Sequence, residues 1–136
     1  MVTETSGPED PSGSRHPKLT GAGALLRRGM VALDKSKPRR LDEAEVCFRQ
    51  ALDLLEEVLD EPHPRISYAL DRIGLVCHLR GDVEEAESLY LRSLAVLGDV
   101  RSPTKWNDIT ILNLAILYGR QGRTEERDAV MRLYEP

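Results

Sequence analysis

The feature that most narrows the possible folds is a phrase that recurs. GDVEEAESLYLRSL begins at Gly81, GRTEERDAVMRLYE at Gly122, and RLDEAEVCFRQALDLL at Arg40. The two glycines stand 41 residues apart (122 − 81), and Ala44 and Ala86, in DEAE and EEAE, stand 42 apart (86 − 44). In each copy acidic residues precede apolar side chains set at helical spacing. Self-similarity at a period of this size is the signature of a stacked repeat array.

The composition agrees with helices. Aromatic residues make up 4%, with one Trp and one Phe, so the core must be mostly aliphatic, which disfavours a β-sandwich. A chain of 136 residues fits one domain. Its 19 basic and 23 acidic residues leave a net charge of −4, which gives no general attraction for nucleic acid or anionic lipid. No stretch approaches the ~18 consecutive apolar residues of a membrane span, and the N-terminus is polar, so no membrane association and a cytoplasmic location are expected. Cys47 and Cys77 fall inside helical apolar patterns without the C-x-x-C spacing of a metal or redox site, and read as reduced core residues.

Residues 1–18, opening MVTETSGPEDPSGSRHP, are rich in Pro, Gly, Ser and Thr and are expected to form a disordered tail. Residues 19–136 form the repeat domain, with units at about 22–61, 62–101 and 102–136. In the first unit Leu25, Leu26, Gly29, Ala32 and Leu33 share a helix face that Pro38 ends; Leu41, Ala44, Phe48, Ala51, Leu52 and Leu55 form the stripe of its partner helix. The second unit starts at His63-Pro64, with Pro64 in the first helical position. Leu70, Ile73, Gly74 and Cys77 mark its inner face, and Gly81 is a left-handed terminator. Asp82 and Glu85 suggest a capping box before the stripe Ala86, Leu89, Tyr90, Ser93, Leu94 and Leu97. In the third unit Ser102 and Pro103 are start signals, Ile111, Leu114, Ala115 and Tyr118 repeat the inner face, Gly122 terminates, and Thr124 is placed to cap a short last helix.

LDRIGLVCHLRGDVEEAESLYLRSL and ILNLAILYGRQGRTEERDAVMRLY resemble the tetratricopeptide repeat, and the spacing near 42 is similar to the longer repeats of kinesin light chain type. Gly74 and Ala115 match the family's small residue on the first helix, Ala44 and Ala86 the one on the second, and Phe48, Tyr90 and Met131 the large residue four further on. Aligning Gly29 with Gly74 requires three extra residues near KSKPRR, and Arg127 stands where the third unit should carry its small residue. The resemblance implies an all-α, right-handed solenoid of three helix-turn-helix units.

It also implies where function lies. In the family the first helices line a concave groove that binds partner peptides. In this chain the corresponding residues are Tyr68, Asp71, Arg72, Leu75, His78 and Leu79 in the second unit, and Ile109, Leu112, Asn113, Ile116 and Arg120 in the third. By resemblance Asn113 matches an asparagine that holds a ligand's main chain, and Arg72, at the same place one unit earlier, suits a ligand carboxylate. Leu75, Leu112 and Ile116 fit an apolar or amphipathic partner segment. A second expectation concerns Val130, Met131 and Tyr134, on a helix that nothing later in the sequence covers, which would suit self-association or capture by a larger complex.

Sharper chemistry finds little support. His16, His63 and His78 show no i, i+4 pairing and no HExxH, and there is no phosphate loop, so no catalytic residue, metal, cofactor, nucleic acid or small-molecule substrate is expected. The basic run Arg27, Arg28 and KSKPRR reads as a solvated loop or a local contact for an acidic partner. Trp106 reads as packing across a joint between units or as an interface anchor.

Overall fold

The computed structural model describes residues 16–35, 38–60, 63–98 and 105–134 and, within these, no side chains at 97, 98 and 105–107. The described residues form six helices and no strand: α1 Pro17–Ala32, α2 Leu41–Val58, α3 Pro64–Arg80, α4 Val83–Gly98, α5 Lys105–Arg120 and α6 Thr124–Met131. Consecutive helices pack on one another, and α3 also touches α5, so three hairpins stack in series as a helical solenoid. The expected tail through residue 15, the start signals Ser102 and Pro103, and the side chains of Leu97 and Trp106 lie outside the described residues.

Local signals set the helix ends. Gly81 and Gly122 adopt φ of 88° and 74°, the left-handed conformation that costs glycine nothing. The amide of the next residue then reaches back into the helix, Asp82 to the Cys77 carbonyl at 2.8 Å and Arg123 to the Tyr118 carbonyl at 2.9 Å. At the start of α3 the His63 imidazole Nδ1 accepts the Arg65 N–H at 3.0 Å, with Pro64 following as the first helical residue. His16 and Pro17 repeat this device, Nδ1 accepting the Lys18 N–H at 3.1 Å. The first helix therefore begins two residues before the expected boundary at 19. Three further ends differ from expectation. α1 stops at Ala32, well before Pro38, with the Leu33 amide turned onto the Gly29 and Met30 carbonyls. Thr124 is the first residue of α6, not its cap; Arg123 holds the cap position with no side-chain capping bond. α6 itself has 8 residues.

Each of the first two hairpins closes on a small residue. Ala44 and Ala86 are fully buried, and the rings of Phe48 and Tyr90, also fully buried, lie over Gly29 and Gly74. The third hairpin lacks this lock. Arg127 occupies the small position and lays its stem near Gly119, Met131 stays 36% exposed, and Val130 is the buried residue of α6. The substitution of a long charged side chain for alanine thus weakens the seat of α6.

Candidate binding surface on the first helices

α1 and α3 enclose a cleft of about 800 Å³. Leu19, Leu26, Met30 and Val31 of α1, Leu55 of α2, and Tyr68 of α3 supply an apolar lining. Met30 and Val31 are exposed and add their apolar surface to the cleft. Arg27 and Arg65 flank the cleft, and among the described residues neither holds an ion pair. A long mobile cation without a carboxylate partner can bind an acid with no internal pair to break. Of the groove residues expected from the sequence, Tyr68 lies in this cleft; Arg27, Met30 and Val31 are not among them, since those expected residues belong to the second and third units.

Asp71 and Arg72 are not open lining residues, as expected from the sequence; they are buried, at 2% and 8% exposure. Asp71 is the hub of a polar network. Its Oδ1 accepts from Thr110 Oγ1 at 2.8 Å and Asn113 Nδ2 at 3.2 Å, and its Oδ2 accepts from Arg72 Nε at 3.0 Å and Nη2 at 2.5 Å. Thr110 contacts Ser93 Oγ at 3.4 Å, and Ser93 in turn exchanges bonds with Ser67. Arg72 also stacks over the Tyr68 ring, 5.5 Å from its centroid, and reaches Met30 Sδ at 3.7 Å. A buried carboxylate must be paired and hydrogen-bonded to persist. Asp71 and Arg72 therefore satisfy each other, and Asn113 binds Asp71 rather than standing free for a ligand. Their role is to join α3 to α5 and to brace Tyr68 and Met30 from below.

The remaining expected residues are spread over α3, α5 and α6. Leu75, Ile109 and Asn113 are half-buried, while Leu79, Leu112, Ile116 and Arg120 are exposed. His78 meets the Tyr90 ring edge-on, with centroids 6.4 Å apart, and burial together with the Arg120 charge holds its imidazole below the usual histidine range. Val130 is buried, Tyr134 half-buried and Met131 exposed. The cleft thus gathers side chains of the first unit and the start of the second, and does not extend over these α5 and α6 positions.

On a chain of three stacked hairpins, the first two closed by alanine and glycine, the sequence profile named Tetratricopeptide repeat matches residues 24–99. The chain belongs to the tetratricopeptide repeat family. A tetratricopeptide repeat domain is a protein–protein interaction module, and the family is generally non-catalytic. The crystal structure of BtubC (BKLC) from P. vanneervenii shares the fold, with a TM-score of 0.64 at 20% identity. The match covers 90% of this chain and 54% of that one, so this tetratricopeptide chain spans about half the length of its structural neighbour. No curated protein matches it. Among the described residues no helix is long and apolar enough to cross a membrane, and no group of three or more His, Cys, Asp or Glu side chains is placed to hold a metal ion.

Proposed function

We propose that this tetratricopeptide domain is a non-catalytic adaptor that takes a partner's peptide segment into the cleft between α1 and α3. The observation that carries this reading is the cleft itself, with an apolar lining and two flanking arginines that have no ion pair among the described residues. The chemistry favours a segment that offers aliphatic or aromatic side chains to Met30, Val31 and Tyr68 and carboxylates to Arg27 and Arg65. Arg72, paired with Asp71, stacks over the Tyr68 ring that lines the cleft, and a side chain already held in place lowers the ordering cost of binding. Cys47 and Cys77, both buried and free, support a reducing and hence cytoplasmic setting.

Selection from a displayed random peptide library tests this reading. Enrichment of peptides that combine acidic and large apolar residues is expected, and Arg27→Glu with Arg65→Glu should remove the acidic preference. Selected peptides without that bias, or binding that survives both the charge reversal and Tyr68→Ala, would contradict it.

A second reading rests on a different surface. Leu112, Ile116, Met131 and Leu133, on or just after α5 and α6, are 36–58% exposed, and an apolar face of this kind suits attachment to a larger assembly.

A further inference from the structure

The joints between units repeat in register, and both outer faces carry one half of that register. Asp71 of α3 bonds Thr110 of α5, so these two positions face each other across the joint between the second and third units. Thr110 corresponds to Ala69 in α3 (110 − 69 = 41) and to Ala24 in α1 (69 − 24 = 45). Thr110 and Ala69 are fully buried by the unit before them, whereas Ala24 is exposed. Val31 follows the same rule: its counterparts Val76 and Leu117 are 0% and 1% exposed, and Val31 is 56% exposed. On the other side, Leu112 corresponds to Asp71 (112 − 71 = 41) and Ile116 to Leu75 (116 − 75 = 41). Leu112 and Ile116 are 39% and 49% exposed.

Ionic contacts also cross both internal joints, from equivalent glutamates on the second helices to arginines that are not in register, Arg80 and Arg123 standing 43 apart (123 − 80). Glu45 of α2 accepts from Arg80, at the end of α3, at 3.2 Å. One unit later Glu87 of α4 accepts both Arg123 guanidinium nitrogens at 2.8 and 3.0 Å and the Tyr118 hydroxyl at 2.9 Å. Glu45, Glu87 and Asp128 occupy equivalent places (87 − 45 = 42; 128 − 87 = 41). Asp128 is exposed and touches its neighbour Arg127 at 3.2 Å.

We infer that the α5–α6 face of one molecule receives the α1 face of a second copy of this chain, continuing the internal joint between molecules. The matching is chemical as well as positional. Where Asp71 meets Thr110 inside the chain, polar against polar, Leu112 would meet Ala24 between chains, apolar against apolar. Such a contact is head to tail and does not close on itself, so it yields open chains rather than a dimer. This inference deepens the second reading above; Val31 belongs to both this face and the α1–α3 cleft, whereas Ala24 and Leu112, the positions altered in the test, do not line the cleft.

Light scattering on the full chain across a concentration series up to millimolar, with Ala24→Glu and Leu112→Glu as blocked forms, tests it. The unaltered chain should rise in mean mass past twice 15.3 kDa without a plateau at the dimer. Each blocked form should stay at 15.3 kDa, and their equimolar mixture should give a pair of twice that mass and nothing larger, since one intact face remains on each partner. Circular dichroism should show unchanged helix content in both. If either blocked form fails to fold, Ala24→Gln and Ile116→Gln replace them; each should associate less alone than when mixed. An unaltered chain that remains at 15.3 kDa throughout, or a dimer that mixing does not restore, overturns the inference.

Discussion

Gly29 lies beneath the ring of Phe48 so closely that an added β-carbon would sit 2.5 Å from Cε1, and Gly74 stands in the same relation to Tyr90 at 2.8 Å. Both rings are fully buried and have no room to retreat. Alanine would gain about 1 kcal/mol of helix propensity over glycine, but forcing a methyl group into a packed core typically costs about 1–3 kcal/mol. Gly29→Ala and Gly74→Ala are therefore expected to lower stability in urea unfolding. Gly23→Ala, whose β-carbon would meet little but the Arg27 guanidinium at 3.5 Å, should raise it by about 0.5–1 kcal/mol. If all three substitutions stabilise, the close approach of the paired helices is not what fixes glycine at positions 29 and 74.

Tyr90 has a buried hydroxyl with no hydrogen-bond partner among the described residues, while Phe48, its counterpart in the first unit, has no hydroxyl to satisfy. An unsatisfied buried polar group costs about 1–3 kcal/mol. Tyr90→Phe should therefore leave stability unchanged or raise it by about 1 kcal/mol. A clear loss in thermal unfolding would mean that the hydroxyl has a partner, such as an internal water.

Asp71 compensates the Arg72 guanidinium and also accepts from Thr110 and Asn113. Asp71→Ala leaves a buried cation unpaired, a change that typically costs about 3–5 kcal/mol. Asp71→Asn keeps an acceptor and should cost less. Equal stability of the two variants by denaturant unfolding would show that Arg72 escapes to solvent when its partner is removed.

Much of the fold was legible in the sequence, and the site much less so. Helix pairing, the left-handed glycines and the ring over Gly74 follow from spacing, because period and steric demand are local properties. His16-Pro17 went unread as a helix start since it sits in a tail-like composition, although His63-Pro64 carries the same signal. Asp71 and Arg72 were misplaced for a different reason. A first helix in a solenoid meets its own partner, the unit before and the unit after, and a polar residue on the third contact reads as solvent-facing until its donors on the next unit are known. Leu112 shares that register and lies outside the cleft.

Acid should loosen the domain through its capping imidazole. His63 accepts the Arg65 amide through an unprotonated Nδ1, and burial, reinforced by the Arg65 charge, lowers its basicity. With the folded-state pKa below the unfolded value near 6.5, the unfolded chain binds the extra proton first. This contribution is thus complete above about pH 6.5 and declines as pH falls below it. His78 acts with the same sign. At still lower pH Glu87, held below the usual carboxylate range chiefly by the Arg123 guanidinium, loses its share as it is protonated. His63→Asp retains a capping oxygen and should flatten the stability curve between about pH 6.5 and the carboxylate range. An unaltered slope would assign the acid sensitivity elsewhere.

The most direct measurement is a backbone amide chemical-shift titration of the isotope-labelled chain with a library-selected acidic, apolar peptide. Shifts should concentrate on Leu26, Met30, Val31, Arg65 and Tyr68, and should vanish with Arg27→Glu and Arg65→Glu. Perturbations confined to α5 and α6, with the α1–α3 cleft silent, would contradict the assignment of peptide docking to this cleft.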